Sequence, residues 1–199
     1  MKVPLLRKQK HEFRDGEYAP PRAFIYSVAP VNGARRFVMR VGVITASDKG
    51  YAGDREDLSG KTIVSIMESN GYEVAKTIIL PDDKQMLADE MISMSDEGIH
   101  LILTTGGTGF SSRDVTPEAT KMVIEKEAAG IPMAILNYSL KITDRAMLSR
   151  ATAGIRKETL IVNLPGSPKA VEESLTYILP ALKHGLDILL GRDAECARS

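Results

Sequence analysis

Three short apolar runs, at residues 38–45, 74–80 and 99–104, alternate with segments of helical period, and this alternation limits the folds open to the chain. The first run is broken only by Arg40 and Gly42, the pattern of a strand covered on both faces. A helix starting at Ser59 carries Ile63, Val64, Ile66 and Met67 and stops at Asn70-Gly71. A second helix, capped by Asp82 or Asp83, places Met86, Leu87, Met91 and Met94 at helical spacing and ends at Gly98, with its methionines most simply facing the core. Strands exchanging with helices in this way predict a mainly parallel sheet joined by right-handed crossovers. Further on, a helical region runs from residue 118 to about 147, interrupted near Gly130 and Pro132. Residues 154–156 and 160–163 then read as a hairpin, which makes one strand antiparallel to the rest. A last helix enters at Pro168 and carries Val171, Leu175, Ile178, Leu179 and Leu182.

With 199 residues and 43% apolar content, the chain can bury one full α/β core plus an appendage. The division falls at about Arg36. Residues 1–36 read as an extension containing Pro4, Pro20, Pro21, Pro30 and one β-like run at 23–28; residues 37–192 form the α/β domain and 193–199 a tail. Lys plus Arg equals Asp plus Glu at 26 each, and aromatic residues make up 5%, so no global field or stacking platform recruits nucleic acid. A charged ligand must be held by local groups. The single cysteine, Cys196, excludes an internal disulfide and a CxxC metal site and suits a reducing, cytoplasmic setting. No run approaches the roughly 18 apolar residues of a membrane span, and the stretch 23–31 is a poor secretory signal.

The third apolar run leads into LILTTGGTGFSSRDVTPEAT at residues 101–120. Gly106, Gly107 and Gly109 lack Cβ atoms, so the chain can take positive φ, approach a ligand closely and converge its N–H groups into an anion-binding nest. A phosphate or a fused heterocycle fits that description, and a purely structural glycine turn is the alternative. No Gly-Lys follows at P-loop spacing, and Ser112 stands where a dinucleotide fingerprint needs its third glycine. Thr116 reads as the N-cap of the next helix, with Pro117 at its first position. In open α/β sheets, ligands bind beyond the carboxyl ends of the parallel strands. Ser47-Asp48, Pro81-Asp82, residues 106–114 and residues 163–169 all leave strands there, which gathers carboxylates, glycines and the cations Arg113 and Lys169 on one rim.

TTGGTG followed by RDVTPEA, SD after the first strand, LPDD after the second, LSR at 148–150 and NLPGSPK at 163–169 together resemble the molybdenum cofactor biosynthesis family that includes bacterial molybdopterin adenylyltransferase. The resemblance spans about residues 40–190. It implies a three-layer α/β/α domain, usually a homotrimer, that transfers AMP from ATP to the terminal phosphate of molybdopterin, releases pyrophosphate and requires Mg²⁺. The adenylylated product would then pass to the downstream metal-insertion enzyme.

Asp82 and Asp114 stand at the positions of the family's catalytic aspartates, where they would act as metal and nucleotide ligands. For Asp82 the alternative is a helix cap; Asp114 is harder to explain that way because Thr116 already fills the role. Gly106, Gly107, Thr108 and Gly109 would hold nucleotide or pterin through backbone groups. Ser149, Asn163, Pro165, Gly166, Ser167 and Lys169 match family segments lining the same pocket. Asp48 follows the SD pattern, with a turn side chain as its alternative role. Arg113 and Arg150 either meet phosphates or are solvated or interface residues. His11, His100 and His184 are scattered, and none makes a persuasive ligand or base.

A phosphate monoester is already an anionic nucleophile near neutral pH, so such a transfer needs alignment and charge neutralisation rather than a general base. Two other readings share much of the motif set. One is a binding or scaffold paralogue with little transfer activity. The other is the competence and damage-inducible type of domain, which usually carries two adjacent aspartates where this chain has Arg113-Asp114.

Overall fold

The computed structural model describes residues 37–192. The expected extension at 1–36, its β-like run, His11, Cys196 and the tail at 193–199 lie outside the described residues. Six strands form one sheet: β1 (Arg40–Ala46), β2 (Glu73–Leu80), β3 (Leu101–Thr105), β4 (Lys126–Glu127), β5 (Ala153–Arg156) and β6 (Thr159–Leu164). Their order is β2-β1-β3-β6-β5-β4. The pairs β1–β2, β1–β3 and β3–β6 are parallel, while β5 runs antiparallel to both β6 and β4. One strand therefore opposes the other five, as the hairpin expectation requires.

The helices are α1 (Asp48–Tyr51), α2 (Leu58–Ser69), α3 (Lys84–Asp96), α4 (Thr116–Val123), α5 (Gly130–Ser139) and α6 (Pro168–Leu189), with a 3₁₀ turn at Asp144–Leu148. Alternation along the strands divides the core in two. Val41, Val43, Leu101, Leu103 and Val162 face Ile63 and Met67 of α2 and Val171, Leu175 and Leu182 of α6. Ile44, Ile102 and Ile161 face Leu87, Met91 and Met94 of α3 and Ala119 and Val123 of α4. Helices on both faces of one sheet make the expected three-layer α/β/α domain.

Several local expectations are corrected. Asp83, not Asp82, caps α3, its carboxylate accepting from the Met86 N–H at 2.9 Å. Met86 is 40% exposed rather than core-facing. Asp57 caps α2, so that helix begins slightly earlier than the expected start at Ser59. Thr116 is not the N-cap of α4: Val115 holds that position, and the buried Thr116 hydroxyl instead donates to the Gly106 carbonyl at 2.9 Å. The expected helical region from 118 to 147 is broken by β4, whose flanks pair with β5 through Glu125 N–H to Ile155 O at 2.8 Å and Ala128 N–H to Ala153 O at 2.9 Å.

Register brings the ends of four strands level. Ala46 pairs with Leu80, Thr45 with Thr105, and Thr105 with Leu164. The chain leaves β1 for β2 on one side and returns to β3 on the other, so β1 and β3 flank the point where strand order reverses. Ligands favour that place in open sheets.

Candidate active site

Two loops fold over this rim because glycine permits it. Gly106 has φ +89° and lies so close to β1 that a Cβ would sit 2.3 Å from the Ala46 carbonyl oxygen. Gly107 has φ +63°, and its missing Cβ would sit 2.3 Å from Thr116 Oγ1 and 3.0 Å from Asp82 Oδ1. The loop after β6 is tied down from below, with Thr105 Oγ1 donating to Pro165 O at 2.6 Å and Ser59 Oγ donating to Gly166 O at 2.9 Å.

Three carboxylates meet beside these glycines. Asp48 and Asp82 exchange bonds: the Asp48 N–H donates to Asp82 Oδ2 at 3.1 Å and the Asp82 N–H to Asp48 Oδ1 at 3.0 Å. Arg113 clamps Asp48 through Nε at 3.0 Å and Nη2 at 2.9 Å, and this pairing holds the Asp48 carboxyl below its ordinary pKa. Asp82 goes the other way. Burial, then the charges of Asp48 and Asp114, raise its pKa above the ordinary value, against the lowering effect of the Asp48 N–H. Asp82 Oδ1 is buried and takes no hydrogen bond from the described residues. Asp114 Oδ2 accepts from the Ser111 N–H at 3.1 Å, and a Cβ on Gly109 would come within 2.9 Å of that oxygen.

Asp82, Asp114, Gly106 and Gly107 line a cavity of about 480 Å³ together with Gly166 and Ser167. Ser47, expected at the rim, shares that lining, as do Thr45, Arg55, Asp57 and Ser59, which were missed in the sequence. Asp57 three residues before Gly60 is a cap spacing that could have drawn attention to it. A second cavity of about 500 Å³ opens beside the first, and Gly166 lines both. Its walls hold Thr108, Gly109, Ser149 and Pro165 together with Met133, Leu136 and Leu148, which makes it largely apolar.

The candidate residues thus divide among three places. Thr108, Gly109, Ser149 and Pro165 face the apolar cavity; Asp82, Gly106, Gly107, Asp114 and Ser167 face the acidic one; and Gly166 joins them. Ser167 also caps α6, accepting from the Ala170 N–H at 3.2 Å. Asp48 and Arg113 form the ion pair at the rim. Asn163 and Lys169 line neither cavity. Asn163 is 0% exposed, with its amide donating to Thr104 Oγ1 at 3.0 Å and Thr120 Oγ1 at 2.8 Å while its oxygen accepts from the Thr152 N–H at 3.1 Å. Lys169 points to solvent, 83% exposed and 3.9 Å from Glu173. His100 lies before β3 at the opposite end of the sheet, where its Nδ1 accepts from the Arg40 N–H.

Among the described residues, no three His, Cys, Asp or Glu side chains are arranged to hold a metal on their own. A cation at Asp82 and Asp114 would have to complete its shell with oxygens from a ligand or water, the habit of Mg²⁺ with phosphates. The carboxylate of Asp82, with its Oδ1 unpartnered and its pKa raised, fits such a cation, whose charge would stabilise the ionised form.

Residues 42–184 match the family described as the probable molybdopterin binding domain. The chain belongs to this family. A molybdopterin adenylyltransferase of Helicobacter pylori (strain J99 / ATCC 700824) is 41% identical over 157 residues, covering 77% of this chain and 89% of the relative. The molybdopterin biosynthesis enzyme MoaB of Thermus thermophilus superposes with a TM-score of 0.74 at 42% identity, over 77% of this chain and 98% of that one. The tungsten cofactor synthesizing protein MoaB of Pyrococcus furiosus gives a TM-score of 0.71 at 34% identity, over 80% and 100%.

Proposed function

We propose that this protein is a molybdopterin adenylyltransferase, transferring AMP from ATP to the terminal phosphate of molybdopterin with release of pyrophosphate. One observation carries the reading: an acidic cavity with an unpartnered carboxylate oxygen and an apolar cavity share Gly166 in their walls. Cavities of this volume and apolar lining bury flat, ring-bearing ligands, whereas orphaned carboxylates call for a cation. Curated relatives at 36–41% identity bear the name of this activity.

The pterin occupies the apolar cavity, with its terminal phosphate directed past Gly166, and the nucleotide's phosphates lie against Gly106 and Gly107. Asp82 and Asp114 would hold Mg²⁺, which when bound would supply charge neutralisation. The pterin phosphate oxygen forms a bond to the α-phosphorus of ATP, the bond from that phosphorus to the bridging oxygen breaks, and its electron pair leaves on pyrophosphate. No proton has to be removed, so the task of the chain is alignment. Gly106 and Gly107 take the positive φ that lets the loop lie against Ala46 and Thr116, where a Cβ would collide, and so form the backbone surface against which the phosphates lie. The Asp48–Arg113 pair and the bonds between Asp48 and Asp82 hold the Asp82 carboxylate in place.

We assign the activity to residues 37–192, in the cytoplasm, and to a homotrimer. Exposed Met133, Leu140, Ile142 and Met147, on and after α5, supply apolar surface for subunit contact. Incubating the purified protein with molybdopterin, ATP and Mg²⁺ tests the reaction. Pyrophosphate and adenylylated pterin are expected. A scaffold paralogue would bind the pterin and release no pyrophosphate, and cleavage of ADP-ribose would place the chain with the competence and damage-inducible type instead.

A further inference from the structure

The segment carrying Asp114 is a small turn whose own residues reach the body through one exposed side-chain ion pair, Arg113 with Asp48. Phe110, Ser111, Ser112 and Arg113 are exposed. Its internal bonds are local: the Asp114 N–H donates to Ser111 O at 3.0 Å, the Ser111 N–H to Asp114 Oδ2 at 3.1 Å, and the Arg113 N–H to Ser111 Oγ at 3.2 Å. Such bonds shape the turn without orienting it. Both of its ends, however, converge on one side chain from a distant part of the sequence. Arg150 Nε donates to Gly109 O at 2.6 Å, and Nη2 donates to Asp114 O at 2.7 Å. Nη1 pairs with Glu118 on the first turn of α4, and the Arg150 N–H donates to Thr108 O at 2.9 Å.

We propose that Arg150 is a positioning residue that clamps both ends of the 109–114 turn and thereby fixes the direction of the Asp114 carboxylate. The proposal rests on the role given to Asp114 above. Holding the Gly109 and Asp114 carbonyls sets the peptide planes at the two ends of the turn. With the Asp114 carbonyl held by Arg150 and the Asp114 N–H held on Ser111 O, rotation about the Asp114 backbone is restricted, and with it the direction of the Cα–Cβ bond. A planar fork suits this, because separate nitrogens, Nε and Nη2, reach the two carbonyls along set lines; the donors of a lysine ammonium all sit on one nitrogen and have no fixed planar spacing to match both. Glu118 balances the guanidinium charge, which removes much of its pull on a phosphate. The pairing separates the two arginines considered for phosphate contact: Arg150 holds backbone, whereas Arg113 is a 60%-exposed partner of Asp48.

Arg150→Lys tests the assignment with two readouts. In the transfer assay kcat falls by about 10²-fold, the scale set by misplacing a reacting group by an ångström, while KM for ATP and affinity for molybdopterin stay within roughly threefold. The Mg²⁺ concentration for half-maximal rate rises. A phosphate-contacting role would do the reverse, raising KM for ATP with kcat largely kept, and that result would overturn the proposal. The second readout needs no turnover and therefore stands even if the transferase reading fails. Hydrogen exchange of the amides at 110–114 speeds up by about tenfold or more in the variant, with the exchange of β1 and β3 unchanged. Unchanged exchange at 110–114 contradicts the clamp. Should Arg150→Lys fail to fold, Glu118→Gln, which keeps an acceptor but removes the charge partner, gives the same two shifts at smaller size.

Discussion

Asp82 and Asp114 stand in the same corner yet are held differently, and each makes its own prediction. Asp114→Ala removes a carboxylate while leaving the apolar cavity intact, so transfer should fall by at least about 10²-fold, the loss expected when several kcal/mol of charge stabilisation disappear. Molybdopterin binding, followed by its fluorescence, should stay near that of the parent. Asp82 has its folded pKa raised above the unfolded value by burial and by Asp48 and Asp114. A group shifted in that direction favours folding below its unfolded pKa, near 4, and loses the contribution as pH rises through the folded pKa. At neutral pH the ionised Asp82 is therefore a liability to stability. Asp82→Asn, which keeps an oxygen to accept from the Asp48 N–H, should melt higher than the parent at pH 7, with the gap closing as pH falls toward 4. Thermal melts across that range check it, and a variant melting lower at pH 7 would contradict the electrostatic account. Legibility at this scale was uneven. The glycines announced themselves because positive φ and close approach demand them, whereas Thr116 misled: its Thr-Pro-Glu context marks a cap, but a tertiary bond to Gly106 O draws the residue into the helix.

At the scale of elements, the long strands and helices could be read because their burial leaves a period in the sequence. β4 could not. Its two residues are held by pairing with β5, a partner far along the chain, and nothing in residues 124–128 competes with a helical reading until that ladder is present. Asn163 shows the opposite failure, in which the motif was plain but its use was not. It sits near the end of β6 and cross-links β3, α4 and the strand entering β5 through one amide that donates to two hydroxyls and accepts from a backbone N–H. Asn163→Ala would leave the Thr152 N–H and two buried hydroxyls short of a partner. A loss of roughly 1–3 kcal/mol in unfolding free energy is expected, measured by denaturant titration, together with nearly parental nucleotide affinity in the fraction that folds. A variant of parental stability with lost ligand binding would return Asn163 to the site.

For the molecule as a whole, the rim was legible from topology alone, since parallel strands that end level must release their loops together. The apolar cavity was not, because Met133, Leu136 and Leu148 come from a stretch whose division into α5 and a 3₁₀ turn depends on the break at β4. The same stretch exposes Leu140, Ile142 and Met147. If these pack between subunits, light scattering should give three copies per particle, and Ile142→Glu should shift the mass toward one copy without unfolding the domain. The central claim is spatial: an acidic and an apolar cavity meeting at Gly166 hold a triphosphate and a pterin side by side. A crystal structure with molybdopterin, Mg²⁺ and a non-hydrolysable ATP analogue tests it most directly. The account predicts phosphates against Gly106 and Gly107, metal at Asp82 and Asp114, and the pterin ring between Met133 and Ser149; ligands bound elsewhere, with Gly107 and Asp114 turned away from them, would contradict it.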